Sequence, residues 1–228
     1  MTAPLPTGAE KVRAVESMFD RIAPRYDLLN RLLTFGMDVG WRQRTVGALG
    51  LPPASTILDV ACGTGDLCRE LHDQSYRAVG IDRSAGMLAA ARTGAPLVRS
   101  DGLSLPVPDA SVDGVVCGFA LRNFEGLAAF FAECARAVRP GGRVALLEVS
   151  QPANPVLRLG HSMYFGRVVP LVGGLISDRA AYRYLPKSVA YLPSEPELVS
   201  MLAAAGFPDA RRTPLSIGIA QLLTGTRR

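Results

Sequence analysis

The sequence predicts an α/β fold built on a mainly parallel, seven-stranded sheet with helices on both faces, and three observations predict it. Short apolar runs alternate with helical patterns through residues 54–150, the rhythm of a parallel sheet. Those runs lack strict polar/apolar alternation, as expected of strands covered on both faces. A glycine turn, Cys62-Gly63-Thr64-Gly65, joins the first run to the first helix of that region, the place where open α/β sheets take ligands.

The elements follow in order. Residues 10–50 read as helical, because Val15, Met18, Phe19 and Ile22 recur on one face at 3.6-residue spacing. Thr56–Ala61 is the first strand, followed by a helix from about Asp66. Arg77–Ile81 is the second, then a helix from Met87 to Arg92. Pro96–Arg99 is a short third strand and Val112–Phe119 the fourth, followed by a helix over Leu127–Val138. Pro140-Gly141-Gly142 reads as a turn, and Arg143–Val149 as the fifth strand. Residues 151–193 then break the alternation with Pro, Gly and five Tyr/Phe; a connection that long reads as a lid-like insertion. Glu195–Ala205 is the last helix, with Gly206 at its C-cap position. Ala210–Pro214 and Ile217–Thr226 complete the strands. The chain is thus expected to be one domain in four parts: N-terminal helices (10–50), a core (54–150), an insertion (151–193) and a final helix with two strands (194–228).

Composition narrows the classes. Hydrophobic residues make up 48% and charged residues 20% of 228 residues, which excludes a disordered chain. Cys62, Cys68, Cys117 and Cys134 form no Cys-x-x-Cys pair. Reduced, buried thiols in a cytoplasm are expected, with no metal site. The longest suspect apolar stretch, Val168–Ile176, contains Pro170, Gly173 and Gly174; a membrane span needs about twenty residues. The opening MTAPLPTG has no basic stretch leading into an apolar run, so no secretory leader is predicted. The net charge of +5 is uneven: residues 1–150 hold 16 basic and 16 acidic residues, and residues 151–228 hold 9 and 4. A neutral body with a basic final third points away from nucleic acid and toward an anionic ligand or membrane surface.

The glycine loop decides between ligand classes. Gly63 and Gly65 match the first two positions of the dinucleotide pattern, but its third glycine is Cys68. Asp59 and Asp66 flank the loop, where two carboxylates would repel a pyrophosphate. They suit a cationic ligand, and S-adenosylmethionine carries both a sulfonium and an ammonium group. Asp82, at the end of the second strand, is placed to accept hydrogen bonds from ribose hydroxyls. Asp101 and Gly102, after the third strand, are placed to flank the adenine.

DVACGTGD, GID and PGGR resemble the corresponding motifs of class I S-adenosylmethionine-dependent methyltransferases, which implies a Rossmann-like fold. More narrowly, the chain resembles the menaquinone/ubiquinone biosynthesis C-methyltransferase family. The resemblance rests on Tyr26-Asp27-Leu28-Leu29-Asn30 with Gly36 and Trp41-Arg42. It continues in Leu121-Arg122-Asn123-Phe124 through Arg136–Gly142, in Glu148–Pro152 and in Tyr182–Ser188. It covers about residues 15–218. It implies cofactor contacts at Thr64, Asp82, Asp101, Gly102 and Gly118, the last often Ser in the family. It also implies C-methylation of a demethylmenaquinol-type acceptor.

In that reaction Arg122 is expected to stabilise the ionised ring hydroxyl, since a guanidinium stays protonated, and Asn123 to orient the hydroxyl or a water. Tyr164, Tyr182 and Tyr184 are expected to line a slot for a flat ring. His161 reads as a surface or packed imidazole, His72 as structural, and Trp41 as an anchor of the N-terminal helices. Met163, Phe165 and the apolar residues of 168–176, with Arg158, Arg167 and Arg179, form a candidate membrane-docking face. The expected partners are therefore a small aromatic quinol, no nucleic acid, a peripheral membrane contact at the inner face, and a second copy as homodimer. The tail departs from the family's Gly-x-x-Ala-x-His-x-Gly at Gln221 and Leu223. That departure motivates a second reading, methylation at C or O of another small aromatic in specialised metabolism. A non-catalytic, nucleic-acid-binding module, suggested by the basic charge, is opposed by the acidic loop set.

Overall fold

The structure, a computed structural model, describes residues 7–228, without the side chains of residues 179, 180, 183 and 185. The leader reading thus rests mostly on residues outside this range, as does the side chain of Arg179. Among the described residues, seven strands form one sheet. They are β1 (Thr56–Val60), β2 (Arg77–Asp82), β3 (Leu97–Arg99), β4 (Val112–Gly118), β5 (Val138–Val149), β6 (Arg211–Leu215) and β7 (Ala220–Thr226). Their order is β3-β2-β1-β4-β5-β7-β6. Strand β7 runs antiparallel to both neighbours, and every other pair is parallel. The order reverses between β1 and β4, so a crevice opens at the carboxyl ends of those two strands.

Helices α3 (Met37–Gly47) and α4 (Asp66–Asp73) cover one face, packing Trp41, Leu67 and Leu71 on Ile57, Val116 and Leu147. Helices α6 (Leu127–Ala137) and α10 (Glu195–Ala204) cover the other. There Phe130, Phe131, Leu198 and Leu202 meet Leu58, Val60, Val115 and Leu146. Each fully buried side chain of this size contributes roughly 1.5–3 kcal/mol.

Several boundaries moved for local reasons. The helix expected over 87–92 is α5 (Ala85–Ala89), opened one residue earlier by Ser84, whose Oγ accepts from the Met87 N–H at 3.0 Å. Pairing of β5 begins at Val138, before the expected turn. Gly141 takes φ 80° and the register jumps from Val112↔Val138 to Gly114↔Arg143, so the turn is a bulge inside the strand. Before β7, residues 216–219 turn, with Ile217 at φ 56°.

The N-terminal residues form α1 (Gly8–Ile22) and α2 (Tyr26–Leu33), ahead of α3. The insertion is helical: α7 (Pro155–Met163), a π-helical turn (Tyr164–Val168), α8 (Val169–Ile176) and α9 (Arg179–Ser188). Pro155 and Pro170 sit in first turns, where a missing N–H is harmless, so they start helices instead of breaking them. A third cluster joins Met18, Ile22 and Leu29 to Val169, Ala181 and Tyr182, seating the insertion on α1 and α2.

Candidate active site

The glycine loop wraps under the crevice. Gly63 and Gly65 take φ of 55° and 84°, conformations glycine adopts without strain. Ala61 and Phe119, the residues that follow β1 and β4, take φ of 58° and 59°. A non-glycine residue held there costs on the order of 1–3 kcal/mol, and such strain gathers at functional sites. The Phe119 N–H is fixed by Leu147 O at 2.7 Å.

Two cavities meet at this crevice. The strand-end cavity, about 190 Å³, is lined by Gly63, Asp82, Asp101, Gly102 and Gly118 from the loops after β1 to β4. Asp82 accepts the Gly63 N–H at one carboxylate oxygen and the Ser84 N–H at the other, both at 2.8 Å. Burial pushes its pKa up. Asp101 accepts from Leu103 N–H at 3.0 Å and pairs with Arg83 at 2.7 Å. A Cβ on Gly102 would fall 2.8 Å from the Phe124 ring and 2.9 Å from Val60, so glycine keeps this wall open. Gly118 faces Leu67, whose Cδ1 would lie 2.9 Å from a Cβ there. Helix α1 closes the cavity with Val12, Val15 and Phe19, and α2 adds Tyr26.

Three of the residues expected at the cofactor do not line it. Asp59 is fully buried beneath the loop. Strand alternation points it to the α4 face, where one carboxylate oxygen accepts from the Cys68 thiol at 3.2 Å and the other has no partner among the described residues. Burial drives its pKa to about 7. Thr64 turns away to donate its hydroxyl to Asp27 on α2. Gly65 packs on Thr93. Asp66 is also spent elsewhere, pairing with Arg42 at 2.7 Å and with Arg69. The acidic character of the cavity thus comes from Asp82 and Asp101 at the strand ends, with Glu16 and Glu125 on its rim, not from the pair that flanks the loop.

The insertion cavity, about 410 Å³, is predominantly apolar and lies among α1, α2, α3 and the insertion. Arg122, Asn123, Tyr164, Tyr182 and Tyr184 all line it. Arg122 is buried. Its Nη1 bonds Phe119 O at 2.6 Å and Glu148, and its Nε bonds Ser188 Oγ at 3.1 Å. Nη2 makes no hydrogen bond to a described residue. Tyr184 Oη donates to Asn123 Oδ1 at 3.4 Å, and Tyr164 Oη donates to Leu33 O at 2.9 Å. Trp41 donates to Ser216 Oγ at 2.8 Å and stands edge-on to Phe119. His161 lines this cavity too, whereas His72 is exposed. The tail residues do not reach it: Gln221 bonds Arg212 and Val149 O at 2.8 and 3.1 Å, and Leu223 lies in the core.

Phe19, Tyr26, Phe119 and Asn123 line both cavities. In the sequence Phe19 belongs to a helical packing face and Tyr26 to the Tyr-Asp-x-x-Asn motif, and neither pattern marks a junction. Their place at the junction comes from folding α1 and α2 over strand ends far away in sequence.

Known proteins match this architecture. The model of the ubiE/COQ5 methyltransferase family matches residues 7–227. A demethylmenaquinone methyltransferase of Roseiflexus castenholzii is 41% identical, over 98% of this chain and 98% of its own. A ubiquinone/menaquinone biosynthesis C-methyltransferase of Geobacter sulfurreducens is 39% identical, over 96% of this chain and 90% of its own. A solved SAM-dependent methyltransferase of Thermotoga maritima superposes with a TM-score of 0.68 over 93% of this chain and 99% of its own; at 17% identity the likeness is one of fold.

Proposed function

The chain belongs to the ubiE/COQ5 methyltransferase family, and from that premise we propose that its insertion cavity takes a demethylmenaquinol-type acceptor and its strand-end cavity takes S-adenosylmethionine. It is an S-adenosylmethionine-dependent enzyme of quinone biosynthesis. The observation that carries the assignment of sites is the junction: four residues line both cavities, so ligands in the two would meet there.

The strand-end cavity suits the cofactor chemically. Its strand-end carboxylates, Asp82 and Asp101, can accept hydrogen bonds from hydroxyl and amino groups, and Arg83, the one cation lining it among the described residues, is neutralised by Asp101 and Glu16. Asp82 would hold the ribose, with its orientation set by the Gly63 and Ser84 amides. Gly102 and Gly118 leave room for the nucleoside against the backbone. Thr64 and Asp59 support the loop from behind. The bound cofactor supplies an electrophilic methyl on a sulfonium.

The chain's own part is to align the acceptor and favour its ionised form. Arg122 is held by Glu148, Phe119 O and Ser188, which leaves Nη2 to stabilise the ring oxyanion. Asn123, steadied by Tyr184, would orient that oxygen at the junction. The apolar walls would favour cancellation of the sulfonium and oxyanion charges as the S–CH3 bond breaks and the C–CH3 bond forms; the hydrogen on that ring carbon would then leave as a proton to restore the aromatic ring. Tyr164 and Tyr184 flank the ring.

The second reading, another aromatic acceptor, was motivated by Gln221 and Leu223, and neither lines the insertion cavity. The two readings separate on incubating the enzyme with labelled cofactor and a panel of acceptors. Label entering demethylated 1,4-quinols well ahead of monophenols supports the first; the reverse order supports the second.

Among the described residues no helix is long and apolar enough to cross a membrane. The acceptor is nevertheless lipid-borne, and the outer face of α7 and α8 suits a bilayer surface. Val156, Leu159, Leu171 and Leu175 are 78%, 64%, 63% and 79% exposed. Residues 151–177 hold Arg158 and Arg167 and no acid. Phe35 and Ile217, 76% and 68% exposed, carry the same surface to the cavity lining. An anionic bilayer complements this face. A second copy would set the same arginines against each other.

A further inference from the structure

The insertion cavity satisfies nearly all of its own polar groups. Tyr164 Oη bonds Leu33 O and Tyr184 Oη bonds Asn123. Thr34 Oγ1 bonds Asn30 O and Asp38. Besides Arg122 Nη2, two buried lining atoms are exceptions: Tyr182 Oη and His161 Nε2 have no hydrogen-bond partner among the described residues. Orphans of this kind are rare, because a buried polar atom left unpaired loses its bond to water without replacement.

Neither residue is loosely placed. Tyr182 is 4% exposed. Its ring lies so tightly on α8 that a Cβ at Gly173 would come within 2.1 Å of its Cγ. The hydroxyl is therefore held in one position at the wall. The His161 imidazole is packed on Phe165, with ring centroids 4.4 Å apart. Burial lowers the pKa of His161 and raises that of Tyr182, so both are neutral near pH 7. The cavity thus offers one hydroxyl that can donate and one imidazole nitrogen that can donate or accept. A hydrocarbon ring would leave both unsatisfied.

Resting on the assignment of this cavity to the acceptor, we propose that Tyr182 Oη and His161 Nε2 are the hydrogen-bonding partners of the acceptor's ring oxygen remote from the reacting carbon, and that they select a dioxygenated ring over one with fewer oxygens. Arg122 and Asn123 act at the oxygen beside the reacting carbon, near the junction. Tyr182 and His161 read whether the rest of the ring carries the oxygen pattern of a quinol. Rejecting a ligand that lacks a hydrogen-bonding group is the discrimination such sites perform best, because the site's own polar atoms are then left unpaired.

The test compares the cofactor-loaded enzyme's affinity for a short-chain 1,4-naphthoquinone, which is oxidised and cannot react, with its affinity for the same tail on naphthalene. Wild type should prefer the quinone by about tenfold or more, and Tyr182→Phe and His161→Phe should each erode that preference by about 2- to 13-fold, the range of one net hydrogen bond. Affinity for the naphthalene should be kept or raised, because each change removes a polar atom that the hydrocarbon leaves unpaired. Because Tyr182 Oη has no partner among the described residues, Tyr182→Phe should keep or raise the thermal midpoint, whereas loss of a structural hydrogen bond would lower it. An undiminished preference in both variants overturns the proposal. Failure of the underlying reading is separately visible: wild type would then neither bind the quinone nor methylate the quinol.

Discussion

The guanidinium of Arg122 is ion-paired with the carboxylate of Glu148, a residue that is fully buried at the end of β5. Glu148 also accepts the N–H groups of Val149 at 2.8 Å and of Arg122 itself at 3.2 Å. Glu148 thus fixes the direction of Arg122. Removing either partner leaves an uncompensated buried charge, a loss of about 3–5 kcal/mol. Arg122→Ala and Glu148→Ala should each lower the thermal midpoint strongly and abolish turnover. The double variant Arg122→Met/Glu148→Leu should recover much of the stability and none of the activity. Recovery of turnover in it would show that the pair is structural only.

Thr64 and Asp27 tie the glycine loop to α2. A hydrogen bond to a charged group contributes about 1.5–3 kcal/mol. Thr64→Val should therefore lower the midpoint by roughly 5 °C and weaken S-adenosylmethionine binding, read by calorimetry. Asp27→Ala should do the same, and the double variant should lose little more than either single one.

Two glycines separate a soft neighbour from a hard one. At Gly118 an added Cβ meets the far end of Leu67, 2.9 Å away; at Gly114 it meets the backbone oxygen of Arg143 at 2.8 Å. Gly118→Ser should fold with a thermal midpoint near that of wild type, because Leu67 can rotate aside. Gly114→Ala should be destabilised by more than 1 kcal/mol, because a strand must shift.

Asp59 gives stability a pH dependence. Its pKa is about 7 in the fold, against about 3.9 unfolded. The folded state therefore holds this proton more tightly. The resulting stabilisation is fully present below about pH 4 and is lost as pH rises through 7. Asp59→Asn should flatten the fall in thermal midpoint between pH 4 and 7 relative to wild type. Parallel profiles would show that the carboxyl does not titrate there.

The lining of the strand-end cavity was legible because strand ends and glycine turns are written locally: Gly63, Asp82, Asp101 and Gly102 each follow an apolar run. Asp59, expected beside them, lies outside that lining for a reason also present in the sequence. Strand alternation sets it with Ile57, on the face opposite Leu58 and Val60, and that face is roofed by α4. The roles of Phe19 and Tyr26 depend on two N-terminal helices docking over strand ends many residues away. The helices of the insertion were obscured by prolines and glycines. Pro155 and Pro170 begin helices, and Gly173 exists to receive Tyr182.

The exposed face of α7 and α8 makes a prediction about membranes. Wild type should sediment with vesicles rich in anionic phosphoglycerol lipid and be released by salt. Replacing Leu171 and Leu175 by Asp should reduce sedimentation about tenfold or more while keeping turnover of a short-chain, water-soluble acceptor. If wild type ignores vesicles and instead forms a dimer that these changes dissociate, a second copy covers the face.

If the two cavities meet so that a methyl passes to a ring carbon of a quinol, a single turnover with cofactor bearing a trideuterated methyl and a short-chain demethylmenaquinol, followed by carbon NMR of the product, should place the label on a ring carbon adjacent to a hydroxyl-bearing carbon, with no methyl ether. A labelled methyl ether, or no transfer by an enzyme that binds both ligands, would contradict it.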